Sequence, residues 1–378
     1  MKIGIVCYPT FGGSGVVATE LGLELSKRGH EIHFITYSQP VRLELLNKNV
    51  YFHEVNVPDY PLFHYQPYEL ALSSKLVDMV KLHKIDVLHV HYAIPHAYAA
   101  YMAKKMLHEE GIEVPIVTTL HGTDITLVGS HPFYKSAVTF SINKSDAVTS
   151  VSQSLKDDTL RLFDIKNEIK VVPNFIDFEK HTNHFTDCQR AMMAEDDEKI
   201  ITHISNFRPV KRIQDIIRVF YEIQKEIPAK LMMVGEGPEK EPAELLCERL
   251  GIQDKVIFFG KSHEIDKILC FSDLFLLPSE AESFGLAALE AMASGVPVIS
   301  SNAGGISEVN KQGVSGFLSN VGDIDDMVKN ALYILKDELI LAEFKANAKK
   351  EAKQFDIHKI VPYYEEIYKE AMVNCISI

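Results

Sequence analysis

The chain has 378 residues, 46% hydrophobic and 24% charged, with 20 Gly and 16 Pro; this composition excludes disordered, collagen-like and repeat-dominated sequences and suits about two domains. Its 39 basic and 52 acidic residues leave a net charge of −13, which argues against nucleic acid as a partner and leaves small anions open. The five cysteines are scattered without a C-x-x-C pair and predict reduced thiols, with neither a zinc nor a disulfide framework. No run approaches the ~18 apolar residues of a membrane span, so a soluble cytoplasmic protein without membrane insertion is expected.

In chain order, residues 2–8 read as a strand, 15–28 as a helix and 31–37 as a second strand. Strands are predicted at 50–55, 86–90, 116–120 and 147–151, separated by helical stretches near 68–83, 96–109, 132–144 and 155–162. Residues 171–177 read as a strand running into a turn, and 177–199 lack a period, which places a domain crossover there. The rhythm then restarts with strand 200–205, helix 213–226, strand 230–234, a turn at 235–238, helix 239–250 and strand 255–259. Strands 274–277 and 296–300 flank a helix at 285–293, and the chain from 323 onward is almost all helical. The fold class implied is α/β, with two Rossmann-like parallel-sheet domains whose ligands sit beyond the carboxyl ends of the strands.

The loop Phe11-Gly12-Gly13-Ser14-Gly15 follows the first strand and opens a helix, where amides and the helix N-terminus can face an anion. Gly13-x-Gly15-x-x-Ala18 also fits a dinucleotide fingerprint, but the only acid of the second strand, Glu31, stands at its start rather than its end. A cradle for an anionic substrate is therefore preferred over NAD binding, with a purely structural tight turn as the alternative.

The densest stretch, residues 278–299, reads strand, polar loop, helix, turn and buried strand, and carries Glu282 and Glu290. A glycosidase pair would flank one bond, whereas eight residues of helix rise about 12 Å and turn the two side chains about 80° apart. The two glutamates could instead grip the ends of one extended ligand, with a phosphate on the helix-start amides of Phe284, Gly285 and Leu286. Sugar at Glu282, phosphate at the amides and ribose at Glu290 describe a nucleotide sugar; helix capping is the plainer alternative. His89 and His91 alternate along one strand and so share a face, which raises a metal site for which no third ligand is evident.

The spacing Glu282…Glu290, followed by Gly295-Val296-Pro297-Val298-Ile299 and Ala303-Gly304-Gly305-Ile306-Ser307-Glu308, resembles the retaining glycosyltransferases of family 4, which have the two-domain GT-B fold. The resemblance runs along essentially the whole chain and includes the Gly-Gly loop, Gly29-His30, residues 86–91, His121-Gly122-Thr123-Asp124, Val172-Pro173-Asn174 and Gly235-Glu236-Gly237-Pro238. Residues 120–126 and 206–212 look like the branch that joins N-acetylglucosamine to L-malate at the start of bacillithiol synthesis. The resemblance implies an acceptor-binding domain over 1–172, a nucleotide-sugar domain over 173–355, and a helix over 356–378 packing back on the first.

The resemblance further implies metal-independent transfer from UDP-N-acetylglucosamine, without a cofactor, by front-face attack. Lys211 and a nearby arginine would clamp the pyrophosphate; Asn206 stands where the family carries that arginine, and Arg208 two residues on is the substitute. Donor contacts are expected from Gly13, Asn206, Arg208, Lys211, Glu282, Ser283, Phe284, Gly285, Leu286 and Glu290. His121, Lys211, Arg208 and Glu282 are the expected catalytic set, and Gly13, Ser14, Tyr92, Thr123 and Asp124 the acceptor contacts, with Lys135 and Lys144 left open. Uridine would be read from backbone near Phe259-Gly260-Lys261. Two other readings stay open, a lipid or glycan acceptor approached by a basic face near Lys104-Lys105, and a non-catalytic nucleotide-sugar binder; a homo-oligomer is also left open.

Overall fold

In the computed structural model the chain is described over residues 1–10, 12–43, 47–59, 61–182, 188, 190–262 and 264–376. It divides into two compact units, one of Met1–Phe175 with Ile357–Ile378 and one of Ile176–Asp356. Part of the unperiodic stretch 177–199, namely 183–187 and 189, lies outside the described residues, as does Phe11 of the glycine loop.

The first unit holds seven strands, β1 (Lys2–Val6), β2 (Glu31–Thr36), β3 (Val50–Glu54), β4 (Val87–His91), β5 (Ile116–Leu120), β6 (Ala147–Ser150) and β7 (Ile169–Val171). They form one sheet in the order β3-β2-β1-β4-β5-β6-β7, and every pairing is parallel. β4 and β5 are buried along their whole length, as strands covered by helices on both faces must be. The helix Gly13–Lys27 starts two residues earlier than its periodicity suggests. The helix Ile357–Ile376 belongs to this unit: Tyr364 and Tyr368 are fully buried, and the Tyr368 hydroxyl is hydrogen bonded to His89 Nδ1 at 2.7 Å.

The second unit holds six strands, β8 (Lys199–Ile204), β9 (Ala229–Val234), β10 (Val256–Gly260), β11 (Leu274–Leu277), β12 (Val298–Ser301) and β13 (Gly316–Ser319), in the order β10-β9-β8-β11-β12-β13, again all parallel. The strongly amphipathic helix Ile213–Glu226 buries Ile213, Ile216, Ile217, Phe220 and Ile223 in a core shared with Phe207, Leu231, Leu274 and Ile299. β13 is an element that the sequence reading leaves out. The expectation of unpaired thiols is corrected for two cysteines: Cys188 and Cys270 form a disulfide with Cα atoms 5.9 Å apart, while Cys7, Cys247 and Cys375 are free and buried.

Candidate active site

In the first unit the connections reverse direction between β1 and β4, the crevice where open α/β sheets bind ligands. The glycine turn leaves β1 and Tyr92 follows β4, and the two meet there: Ser14 Oγ and Tyr92 OH are 2.7 Å apart. The turn can be this tight because Gly15 has no side chain; a Cβ would lie 2.5 Å from the Thr10 carbonyl oxygen and 2.6 Å from that of Tyr8. The first amides of this helix, on Gly13 and Ser14, have no acceptor within it. Tyr92 itself sits at φ 89°, a backbone conformation rare for a side-chain-bearing residue, with its N–H donating to the Thr119 carbonyl at 2.9 Å. Burial pushes its phenol up to about 12, so it stays protonated.

His121 follows β5 and is buried, its Nε2 hydrogen bonded to His91 Nδ1 at 2.8 Å and its ring 5.2 Å from that of Tyr92. Desolvation, reinforced by His96, pushes His121 down to about 3, so it works as a neutral imidazole. Asp124 accepts the Ala93 N–H on Oδ2 at 2.9 Å and the His121 and Gly122 N–H groups on Oδ1 at 3.2 and 3.0 Å. Burial nevertheless raises its carboxyl to about 6 against these bonds. Its carboxylate thus fastens the loop after β5 to the loop after β4. His89 and His91 share a face, their rings 4.5 Å apart, but Tyr368 OH and Thr119 Oγ1, each at 2.7 Å, occupy both nitrogens of His89, so His89 has no nitrogen left to offer a metal.

In the second unit the reversal lies between β8 and β11. Lys211 ends the turn Pro209–Lys211 after β8, Glu282 lies in the loop after β11, and Lys211 Nζ meets Glu282 Oε1 at 2.5 Å. Ser279 Oγ donates to the same oxygen at 2.8 Å, and the Glu280 N–H donates to the Val210 carbonyl at 2.8 Å, which ties the two loops together. The backbone of Glu282 is packed against a glycine turn: a Cβ on Gly304 would come within 2.2 Å of the Glu282 carbonyl oxygen, which accepts the Gly305 N–H at 2.8 Å. The helix that follows runs Leu286–Ala293 with Gly285 as its N-cap, and its opening amides lack intrahelical acceptors.

Two family models match the chain, "Glycosyltransferase Family 4" over residues 11–180 and "Glycosyl transferases group 1" over 188–354. The chain is 48% identical over 374 residues to N-acetyl-alpha-D-glucosaminyl L-malate synthase of Bacillus anthracis, covering 98% of this chain and 97% of that protein. The chain belongs to glycosyltransferase family 4. This glycosyltransferase is also 28% identical to an uncharacterized glycosyltransferase of Methanocaldococcus jannaschii, covering 98% of this chain and 99% of that one. Its fold, GT-B, is that of Anabaena HepE solved with UDP and glucose (TM-score 0.82, 20% identity, 98% and 99% of the two chains). Sucrose-phosphate synthase from Thermosynechococcus elongatus shares it as well (TM-score 0.81, 18% identity, 99% of both chains).

The remaining expected residues of this glycosyltransferase take the following places. Glu282 precedes the helix, so the eight-residue helical spacing from Glu290 does not apply; only Glu290 is helical, and it is buried. The opening amides are those of Gly285 to Ala288, which include Gly285 and Leu286 and leave out Phe284, whose buried ring packs on Phe355 with centroids 5.6 Å apart. Arg208 and Asn206 are exposed, Arg208 without an ion pair among the described residues, and Ser283 lies between Glu282 and Phe284 in the loop. Thr123 opens the single turn Thr123–Leu127 beside Gly122. Lys104, half of the basic pair considered for a membrane face, spends its charge on Asp146 at 2.7 Å, and among the described residues no helix is long and apolar enough to cross a membrane. Sequence reasoning missed the Lys211–Glu282 and Ser14–Tyr92 contacts; both join residues that follow strands flanking a reversal point, and the strand order that makes them neighbours is not written in local periodicity.

Proposed function

We propose that the chain transfers N-acetylglucosamine from UDP-N-acetylglucosamine to the hydroxyl of L-malate with retention of the anomeric configuration, the first step of bacillithiol biosynthesis. The observation that carries this reading is the 48% identity, over nearly the full length of both chains, to a protein named for that synthesis. The second unit is the donor half. Lys211, with Arg208 in support, neutralises the pyrophosphate as its charge grows, and the opening amides at Gly285 and Leu286 receive phosphate oxygens. Glu282 binds sugar hydroxyls and Glu290 the ribose. The first unit is the acceptor half, where the amides of Gly13 and Ser14, the Tyr92 phenol and Thr123 receive the malate carboxylates and Asp124 holds the loops in place.

The malate hydroxyl oxygen attacks the anomeric carbon on the face from which the diphosphate leaves. The carbon–oxygen bond to the β-phosphate breaks as the new glycosidic bond forms, and the hydroxyl proton passes to a phosphate oxygen of the departing UDP. His121, neutral at working pH, serves as a hydrogen-bond partner for a substrate hydroxyl rather than as a proton source. The test is UDP release by the purified chain with UDP-N-acetylglucosamine and L-malate, D-malate, glycerol or no acceptor. Release that requires L-malate is the expected result; the same rate with and without malate would sink the reading.

A further inference from the structure

We propose that His33, His53 and His83 form a binding site for one divalent transition-metal ion of the zinc class, separate from the transfer site. One nitrogen from each of the three rings lies within 4.8 Å of the other two. His33 comes from β2, His53 from the edge strand β3 and His83 from the last turn of the helix Tyr68–His83, elements that supply none of the residues assigned to donor or acceptor. The sheet register brings the first two together: His33 pairs with Tyr51 and Ile35 with His53, so side-chain alternation sets His33 and His53 diagonally on one face.

The chemistry of the donors fits a metal in three respects. His33 Nδ1 and His53 Nε2 are 2.8 Å apart, and nitrogens around a tetrahedral zinc at 2.0–2.1 Å stand about 3.3 Å apart, so about half an ångström of opening admits the ion between them. The other nitrogen of buried His33, Nε2, is 3.0 Å from Glu31 Oε1, and Lys2 Nζ holds the same oxygen at 3.2 Å. That is the carboxylate–histidine pairing that orients metal-bound imidazoles. Finally, the carbonyl end of a helix of 16 residues carries partial negative charge next to His83, which favours a cation.

The protons balance without an external base. With Nε2–H donated to Glu31, His33 offers a bare Nδ1, to which the His53 Nε2–H donates. On metal binding His53 moves that proton to its Nδ1, both facing nitrogens turn lone pairs to the ion, and water leaves the metal. His53 and His83 are partly exposed, so the fourth position is open to water. All-imidazole donors select zinc, nickel or copper over magnesium or calcium. The ion would clip the edge strand β3 and the helix to β2; the transfer reaction proposed above needs no metal, so the two proposals fail independently.

The test uses the full chain without a histidine tag, stripped with a chelator, equilibrated with zinc chloride or magnesium chloride and assayed for retained metal and thermal midpoint. One zinc per chain with a raised midpoint, and no retained magnesium, is expected. His53→Gln and His83→Gln should each weaken zinc binding at least tenfold, and Glu31→Gln about 10–100-fold, with metal-free malate-dependent UDP release unchanged. Failure of the wild-type chain to retain zinc, or equal retention by the His53→Gln/His83→Gln double variant, overturns the proposal.

Discussion

The ammonium of Lys211 and the carboxylate of Glu282, 2.5 Å apart and both largely buried, neutralise each other while the donor is absent. In the proposed reaction a pyrophosphate would bring the negative charge that Lys211 can serve, and Glu282 would then be released to sugar hydroxyls. The two residues therefore act as a unit, and their losses should not multiply. Lys211→Ala and Glu282→Gln are each expected to lower kcat/KM for malate-dependent UDP release by about 10²–10³-fold. The double variant should be no worse than the poorer single; a product of the two losses would show that they work separately. Each residue was legible in the sequence by its motif, but their contact spans 71 positions and depends on strand order. Asp124 is a related case: the motif offers it as an acceptor contact, and the loop geometry that the motif does not show gives its oxygens to the amides of Ala93, His121 and Gly122 from two loops.

At the scale of elements, the turn from β1 into the helix Gly13–Lys27 depends on how closely the helix approaches the strand end. Gly15→Ala would push a methyl group against two backbone carbonyls that cannot swing away, and should cost about 1–3 kcal/mol, read as a lowered thermal midpoint. Gly12→Ala, at φ −66° with its nearest contact 3.5 Å away, should leave the midpoint nearly unchanged. Equal effects of the two would mean that the close approach is not what the glycines provide. The central strands were legible because both faces are covered, which writes them as continuous apolar runs such as Leu274–Leu277. β13 was not, because Gly316-Phe317-Leu318-Ser319 carries no β-branched residue and only its pairing with β12 makes it a strand.

Across the molecule, burial holds a set of histidines neutral: His89 and His121 are pushed down to about 3, His96 and His203 to about 4, and His91 well below its ordinary range, with desolvation the leading cause in each. A depressed folded-state value means that the unfolded chain takes up more protons on acidification. The stability these groups contribute is full above an unfolded value near 6.5 and drains as pH falls toward 4, by at most about 1.4 kcal/mol per pH unit for each. Asp124, raised to about 6, has the opposite sign between about 4 and 6 and offsets part of one histidine. The thermal midpoint is therefore expected to be level from pH 8 to 7 and to fall between pH 6.5 and 4; a midpoint that held steady or rose over that interval would contradict the account. The net charge of −13 provides no general attraction for anionic substrates, so the proposed site would capture them through local donors such as Lys211 and the helix-opening amides.

The helix Ile357–Ile376 completes a unit whose other residues end at Phe175, with the whole of the second unit threaded between them. On the ribosome, the seven-stranded sheet emerges long before Tyr364 and Tyr368 are made, and until then His89 lacks its hydroxyl partner and the sheet lacks part of its cover. The second unit, continuous in sequence, can close as it is synthesised. The nascent chain therefore passes through a stage in which the later-made unit is finished and the earlier one still waits, and a stop codon placed before Ile357 would leave it waiting permanently.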